Sequence, residues 1–391
     1  MHKQGSHLKS QPRLVLHLDQ FDHNCNAIAR QANDKTIRIA TKSIRSIPVL
    51  KRILASSNVF QGLMCYNAQE ALFLHNKGFD NILIGYPSVD REALKQIAEV
   101  NKNGAHIICM VDHLQQVDMV QQIAKQEKGF IPLCLDIDMS TRYGGKLHFG
   151  VRRSPLHKLS DVLAIADYIK KQSHLRLIGA MGYEAQIAGV QDNLPHHLVV
   201  NKWMQVLKKQ SIPSVKKRRG ELVAALKARG FSLLLVNGGG TGSLSTTVKE
   251  DAVSEVTVGS GFYSPQLFDY YKQPLGTKPA MFFTLPIVRK AAKNIYTCHG
   301  GGYIASGKSG DDKMPVPVYP AGSRLISVEG AGEVQTPVFI PKQSKEIGDI
   351  IVFRAAKAGE ICERFNDILC ISEGKVVGYM PTYRGEGECF Y

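Results

Sequence analysis

Three short segments of this chain carry residue types that can do chemistry together. Lys42 stands in IRIATKS (Ile37–Ser43), at the end of a strand-like run and just before a helical stretch. The other two are glycine-rich: NGGGTGS (Asn237–Ser243) and GSGFY (Gly259–Tyr263), each directly after a short apolar run. A lysine at a strand end has two main uses. It holds an anionic substrate, or its amine forms a Schiff base with a carbonyl such as that of pyridoxal phosphate (PLP). Glycine-rich loops let backbone N–H groups approach the oxygens of a phosphate, and Thr241 can add a hydroxyl.

Such segments need a scaffold that gathers strand ends. Eight short, mostly apolar runs recur along the chain: Ile37–Thr41, Gly62–Tyr66, Ile82–Gly85, His106–Val111, Leu133–Ile137, Leu177–Met181, Leu233–Val236 and Val256–Val258. That texture is expected of parallel strands buried on both faces. Helical patterns fill most of the gaps, among them Ala68–Lys77, Arg91–Asn101, Leu114–Glu127, Asp161–Gln172 and Glu221–Arg229. The alternation predicts an α/β fold, a closed (β/α)8 barrel of TIM type rather than an open sheet. Residues leaving the C-terminal ends of barrel strands face the active-site mouth, and phosphate sites are commonly built after strands seven and eight. Lys42 leaves the first strand, NGGGTGS the seventh and GSGFY the eighth. A lysine on one side of the mouth and a phosphate site on the other describe a place for PLP.

Outside the barrel, Leu14–Leu18 alternates as a strand, and Asp19 is placed to cap the helix after it. Beyond about Pro265, strand-like pieces (Met281–Val288, Asn294–Cys298, Arg324–Val328, Asp349–Phe353, Ile368–Ile371, Val376–Tyr379) are separated by Gly, Pro and Asp. These predict a β-rich second domain. The expected division is a barrel at 21–265, a β-rich domain from 12–20 plus 266–391, and a polar, basic N-terminal arm at 1–11. Gly300–Pro317 reads as a long loop, and loops of that length are usually functional or mobile.

Composition narrows the function classes. No run approaches the roughly 20 apolar residues that cross a bilayer. The eight cysteines are scattered without CxxC spacing, which points to a reduced, cytoplasmic protein rather than a disulfide scaffold. The net charge is +15, but the densest basic run, Lys208–Arg219 (KKQSIPSVKKRR), lacks interleaved aromatics and matches no nucleic-acid module. It reads as a solvated surface leading into a helix at Gly220–Arg229.

IATKS, DIDMSTRYG (Asp136–Gly144), MGYEAQ (Met181–Gln186), NGGGTGS and EVTVGSGFY together resemble PLP enzymes of the alanine-racemase-type barrel, fold type III. The nearest group is that of D-threonine aldolases and D-serine dehydratases. The resemblance spans about Phe21 to Asp269 and continues more loosely through the second domain. It implies that Lys42 carries the Schiff base and that Arg142 lies near the phenolic oxygen of the cofactor; the other reading of Arg142 is a salt bridge to Asp136 or Asp138. It implies that Tyr183 lies beside the ring. Gly239, Gly240, Thr241, Ser260 and Gly261 would hold the phosphate, with the Tyr263 hydroxyl as a further donor. For the ring nitrogen the chain offers Glu255 or Thr257. The family's metal pair has no clear counterpart; Lys357–Asp367 (KAGEICERFND) offers Glu360, Cys362 and Glu363, and His299 in CHGGGY is a further ligand or base.

The expected activity is a lyase acting on small-molecule D-amino acids: first, D-threonine-aldolase-like cleavage of β-hydroxy-D-amino acids. D-Serine dehydration comes second and amino-acid racemisation third, the latter needing a second acid/base such as Tyr303 or Tyr383. From other classes, a PLP-carrying regulatory protein and a phosphosugar enzyme share some of these features. The resemblance also implies a homodimer, with neither nucleic acid nor membrane as partner.

Overall fold

The computed structural model of the chain describes residues 11–144, 147–308 and 310–391; residues 1–10, where nearly all of the expected N-terminal arm falls, and Ser309 in the expected long loop lie outside the described residues. Cα packing separates two compact units. One comprises Ala29–Lys42, Ser57–Gly259 and Phe390–Tyr391; the other comprises the described residues up to Ile28, Ser43–Ser56 and Ser260–Cys389.

The first unit is a closed barrel of parallel strands: β1 (Thr36–Ala40), β2 (Phe60–Cys65), β3 (Ile82–Pro87), β4 (Ile107–Val111), β5 (Ile131–Asp136), β6 (Leu175–Gly182), β7 (Leu235–Gly238) and β8 (Glu255–Val258). All eight apolar runs of the sequence are these strands. β4 is buried at every residue, as a strand covered on both faces must be. Met64, Leu83, Ile108, Met110, Cys134, Met181 and Leu235, from six strands, pack into one interior cluster. The helices outside carry ordinary start signals. Asp90 accepts from the Ala93 N–H at the head of Arg91–Lys102, whose Ala93, Leu94, Ile97 and Ala98 form the buried face.

The ring closes where β8 pairs with β1, Glu255 opposite Thr36 and Val258 opposite Ile39. A buried ion pair spans that seam. Arg38 Nε and Nη2 donate to the two Glu255 oxygens at 2.7 and 2.8 Å, and Arg38 Nη1 donates to the Asn81 carbonyl at 2.7 Å. Gly62, at φ +72, leaves the room this needs, since a Cβ there would lie 2.5 Å from Arg38 Nη1.

One helix departs from the sequence expectation. Leu198–Ala228 is a single helix of 31 residues that runs through Pro213, so the basic run is helical along its whole length. The proline and the lysines mask the periodicity on which the helix start at Gly220 was placed. Nor is that run all solvated: Arg219 is buried, and so is Lys208, which pairs with Asp192.

The second unit contains a nine-stranded sheet in which Arg13–His17 lies between Met281–Ala292, antiparallel, and Asp367–Ser372, parallel. The helix after Arg13–His17 begins at Leu18, so Asp19 sits inside its first turn rather than at its cap. Its carboxylate accepts instead from the Ser372 hydroxyl at 2.6 Å and the Glu373 N–H at 2.9 Å. Two strands, Val316–Tyr319 and Gln335–Phe339, add to those expected. Among the described residues no helix is long and apolar enough to cross a membrane.

Replacing Glu255 by Ala leaves the Arg38 guanidinium charged and unpaired inside the barrel. The expected loss of unfolding free energy is about 3–5 kcal/mol, measured by urea denaturation; a loss below about 1 kcal/mol would show that the pair does not hold the seam.

Candidate active site

Lys42 lies in a 3-10 turn, Thr41–Ser43, directly past the C-terminal end of β1. The buried Thr41 beside it donates to the Met64 carbonyl at 3.0 Å, tying the turn to β2. Lys42 itself is exposed, with its amine 3.5 Å from the hydroxyl of Tyr86 on β3. The mouth of the barrel therefore holds a lysine amine beside a phenol.

The NGGGTGS loop leaves β7 and tightens into a 3-10 turn at Thr241–Ser243. Gly239 has φ +80, and a Cβ there would lie 2.5 Å from Val256. A Cβ on Gly240 would meet Ala188 at 3.0 Å and the Tyr183 ring at 3.3 Å. A side chain at Gly240 would press on Ala188 and Tyr183, and at Gly239 the left-handed backbone itself favours glycine. The amides themselves are used internally: Gly239 N–H donates to Glu184 at 3.0 Å, and Gly240 N–H donates to the Ser243 hydroxyl at 3.1 Å. The N–H groups of Gly239 and Gly240, expected to hold a phosphate, are thus bonded to Glu184 and Ser243 in this structure. Thr241 and Gly242, on the turn itself, are half-buried.

Glu184, the residue after Tyr183, is the brace of this loop. Besides the Gly239 N–H it accepts from the Ser243 and Thr247 hydroxyls and from Arg219 of the long helix. Burial opposes its charge, but Arg219 and these donors outweigh burial and lower its pKa. Sequence reasoning missed both residues. Glu184 was visible in MGYEAQ as a motif letter, whereas nothing in KKRR distinguishes Arg219 from its solvated neighbours.

Thr257 and Glu255, the two candidates for the ring nitrogen, differ in position. Glu255 is the first residue of β8, at the end away from the mouth, and is neutralised by Arg38. Thr257 stands two residues nearer the mouth, its hydroxyl bonded to the Asn237 side chain at 2.8 Å.

Arg142 lies on a small hairpin, Thr141–Tyr143 with Leu147–Phe149, opposite His148, and is exposed. No ion pair joins it to Asp136 or Asp138 among the described residues. Asp138 instead accepts from the Ser140 N–H and hydroxyl and pairs with His157 at 3.0 Å. Asp136, the last residue of β5, has its pKa pushed up to about 7, by burial first and then by the Asp112 carboxylate; Arg153 opposes the rise and Asp138 adds to it. The sequence reading had treated Asp136 only as a salt-bridge partner.

In the other unit, Ser260–Phe262 forms a 3-10 turn, and the Ser260 hydroxyl lies 3.1 Å from that of Ser43. Tyr263 is fully buried and donates its hydroxyl to the Ile44 carbonyl at 3.0 Å. That hydroxyl, expected as a further phosphate donor, is thus bonded to the backbone of the segment after Lys42 in this structure. The turn that follows Lys42 is held further by Arg45, which is buried at φ +51 and donates to Glu363 at 2.8 Å. The Ser46 hydroxyl donates to the Pro381 carbonyl, and the Tyr383 N–H to the Arg45 carbonyl.

The metal candidates do not assemble. Glu360 accepts from the Ser306 N–H and hydroxyl, and Glu363 is taken by Arg45. Cys362 is buried, its thiol directed at the Ile44 carbonyl and its pKa pushed up to about 12 by burial. His299 is an exposed residue ending the strand Ile295–His299. Among the described residues no group of three or more His, Cys, Asp or Glu is placed to hold a metal ion. Tyr303 packs edge-on against Phe283 and Phe365, and Tyr383 is buried.

Asp136 makes a pH dependence. Its pKa is about 7 in the folded chain against 3.8 as the ordinary value, so between these the folded state keeps a proton that the unfolded chain has released. Stability therefore falls as pH rises from about 4 to about 7. Asp136→Asn should flatten that slope in urea denaturation curves recorded across the window. A variant with the slope of the parent would show that Asp136 is ionised in the fold.

The chain matches the family model described as alanine racemase, N-terminal domain, over residues 16–264. No curated protein matches it. Among solved structures, D-threonine aldolase from Filomicrobium marinum superposes with a TM-score of 0.79 at 19% identity, covering 96% of this chain and 95% of that one. D-threo-3-hydroxyaspartate dehydratase from Delftia sp. HT23 gives 0.72 at 16% identity, over 95% and 97%. Alanine racemase from Clostridium difficile 630, in complex with cycloserine, gives 0.64 at 15% identity, over 94% and 98%. The chain belongs to the alanine racemase N-terminal domain family, among the fold type III enzymes that use pyridoxal phosphate.

Proposed function

We propose that the chain is a PLP-dependent lyase that cleaves β-hydroxy-D-amino acids in the manner of a D-threonine aldolase. The observation that carries this reading is the pairing of an exposed Lys42 amine past β1 with a glycine turn past β7 that admits no side chain. This donor set fits the cofactor: an amine for its aldehyde, and a small-residue turn with hydroxyls for its phosphate. The likeness of fold to D-threonine aldolase over nearly the whole chain supports the choice of reaction.

In this reading Lys42 holds the cofactor, the Thr241–Ser243 turn holds the phosphate, Tyr183 lies beside the ring, and Arg142 lies near the phenolic oxygen. Thr257 rather than Glu255 faces the ring nitrogen, because Glu255 is neutralised by Arg38. When bound, pyridoxal phosphate supplies a sink for the electrons of a broken bond to Cα. The chain must then orient the substrate and take the proton from its β-hydroxyl. Asp136, with a pKa of about 7, is matched to that task, since a base works best with its pKa near the working pH. His299 is the other candidate base. No step is assigned to a metal, for which the candidate residues do not fit. All eight cysteines are free, which agrees with a cytoplasmic enzyme, and a homodimer is the assembly proposed.

Purified protein should carry a yellow absorbance band that borohydride bleaches, and Lys42→Ala should lack it. With D-threonine the expected products are glycine and acetaldehyde. Pyruvate and ammonia from D-serine would replace aldolase by dehydratase, and appearance of the L-enantiomer alone would indicate a racemase. A colourless protein that takes up no pyridoxal phosphate would overturn the cofactor assignment itself.

A further inference from the structure

Glu184 and Arg219 form a buried charged cluster directly under the NGGGTGS loop. Glu184 lies two residues past the end of β6, at the head of the short helix Ala185–Ala188, and is 1% exposed. It receives Gly239 N–H at 3.0 Å, Ser243 Oγ at 2.7 Å, Arg219 Nη2 at 2.7 Å and the Thr247 hydroxyl. Arg219 reaches in from the long helix; its Nη2 also donates to the Gly182 carbonyl at 2.8 Å, and its Nη1 donates to Glu250. A Cβ on Gly238 would lie 2.9 Å from that Nη2. The loop therefore rests on the guanidinium at one residue and hangs from the carboxylate at the next.

Stability alone does not call for this arrangement. Buried ion pairs are often replaced by apolar residues without loss, because the cost of desolvating two charges rivals their attraction. What an ion pair gives that an apolar cluster does not is direction. Each Glu184 oxygen is aimed at a donor of the loop or of the helix after it, so a shift of the loop would strip hydrogen bonds from a buried carboxylate.

We propose that Glu184 and Arg219 are positioning residues for the phosphate of the cofactor: they fix the Thr241–Ser243 turn in the shape that receives it, while touching no ligand themselves. This rests on the PLP reading given above. It predicts a selective effect, since only the phosphate group, and not the aldehyde held by Lys42, is served by the loop.

The test compares the affinities of pyridoxal phosphate and phosphate-free pyridoxal for cofactor-stripped protein, followed by the yellow band. Glu184→Gln should weaken pyridoxal phosphate about tenfold or more and leave pyridoxal unchanged. Thr247→Val, which removes one donor and keeps the volume, should show the same selectivity to a smaller degree and serves if Glu184→Gln does not fold. Equal weakening of both ligands, or no weakening of either, would overturn the proposal. A parent protein that binds neither aldehyde would instead bring down the PLP reading on which it stands.

Discussion

Parallel pairing of β8 with β1 sets what can happen at the mouth of the barrel. It fixes which residue of the first strand stands beside which residue of the last, and so where Lys42 and the GSGFY segment leave the ring. The register runs from Thr36 opposite Glu255 to Ile39 opposite Val258. A slip of one residue would turn every side chain of one strand to the other face, and Arg38 would lose Glu255. The ion pair at the lower end of the seam therefore specifies the geometry of the upper end. Apolar packing in the interior cluster drives closure, but it is indifferent to small shifts of register in a way that a bidentate guanidinium is not.

The same device recurs. Arg38, Arg45 and Arg219 are among the largest fully buried side chains of the protein. Each is paired with glutamate: Arg38 with Glu255, Arg45 with Glu363, and Arg219 with Glu184 and Glu250. Each also lies next to a segment of the candidate site in the chain or in space. Arg38 is on the strand that ends at Lys42, Arg45 is in the turn just after Lys42, and Arg219 is under the glycine loop. Arg45 adopts a left-handed backbone that a non-glycine residue rarely takes, and it is held by its own bond to Glu363 and by the bonds that Tyr263, Ser46 and Tyr383 donate around it. At these three places buried charge supports backbone geometry that a site for small groups needs to be well fixed.

These facts explain what could be read from the chain beforehand. The barrel was legible because strands buried on both faces write themselves as continuous apolar runs, and because Lys42, NGGGTGS and GSGFY fall at strand ends. The supports were not legible. Arg219 sits in KKRR among exposed lysines, and its burial depends on a helix that continues through Pro213. Gln335–Phe339 and Val316–Tyr319 each contain a proline, a residue that argues against a strand interior, so they were passed over as connections. The internal use of the Gly239 and Gly240 amides could not be foreseen either, because a glycine-rich sequence states that a backbone can come close to something without stating to what.

Aldol cleavage and elimination of water make opposite demands on one proton. Cleavage requires that the β-hydroxyl lose it, and elimination requires that the departing oxygen gain one. A group whose pKa lies near 7, as that of Asp136 does, is half-protonated near neutrality and could serve either demand. Its pKa therefore does not choose the reaction. Under the proposed function the choice falls to the substrate's orientation, which the groups holding the cofactor's phosphate and the substrate's β-substituent would set. Glu184 and Arg219 supply rigid support on the phosphate side of the proposed site, bracing the glycine loop from below with directed bonds.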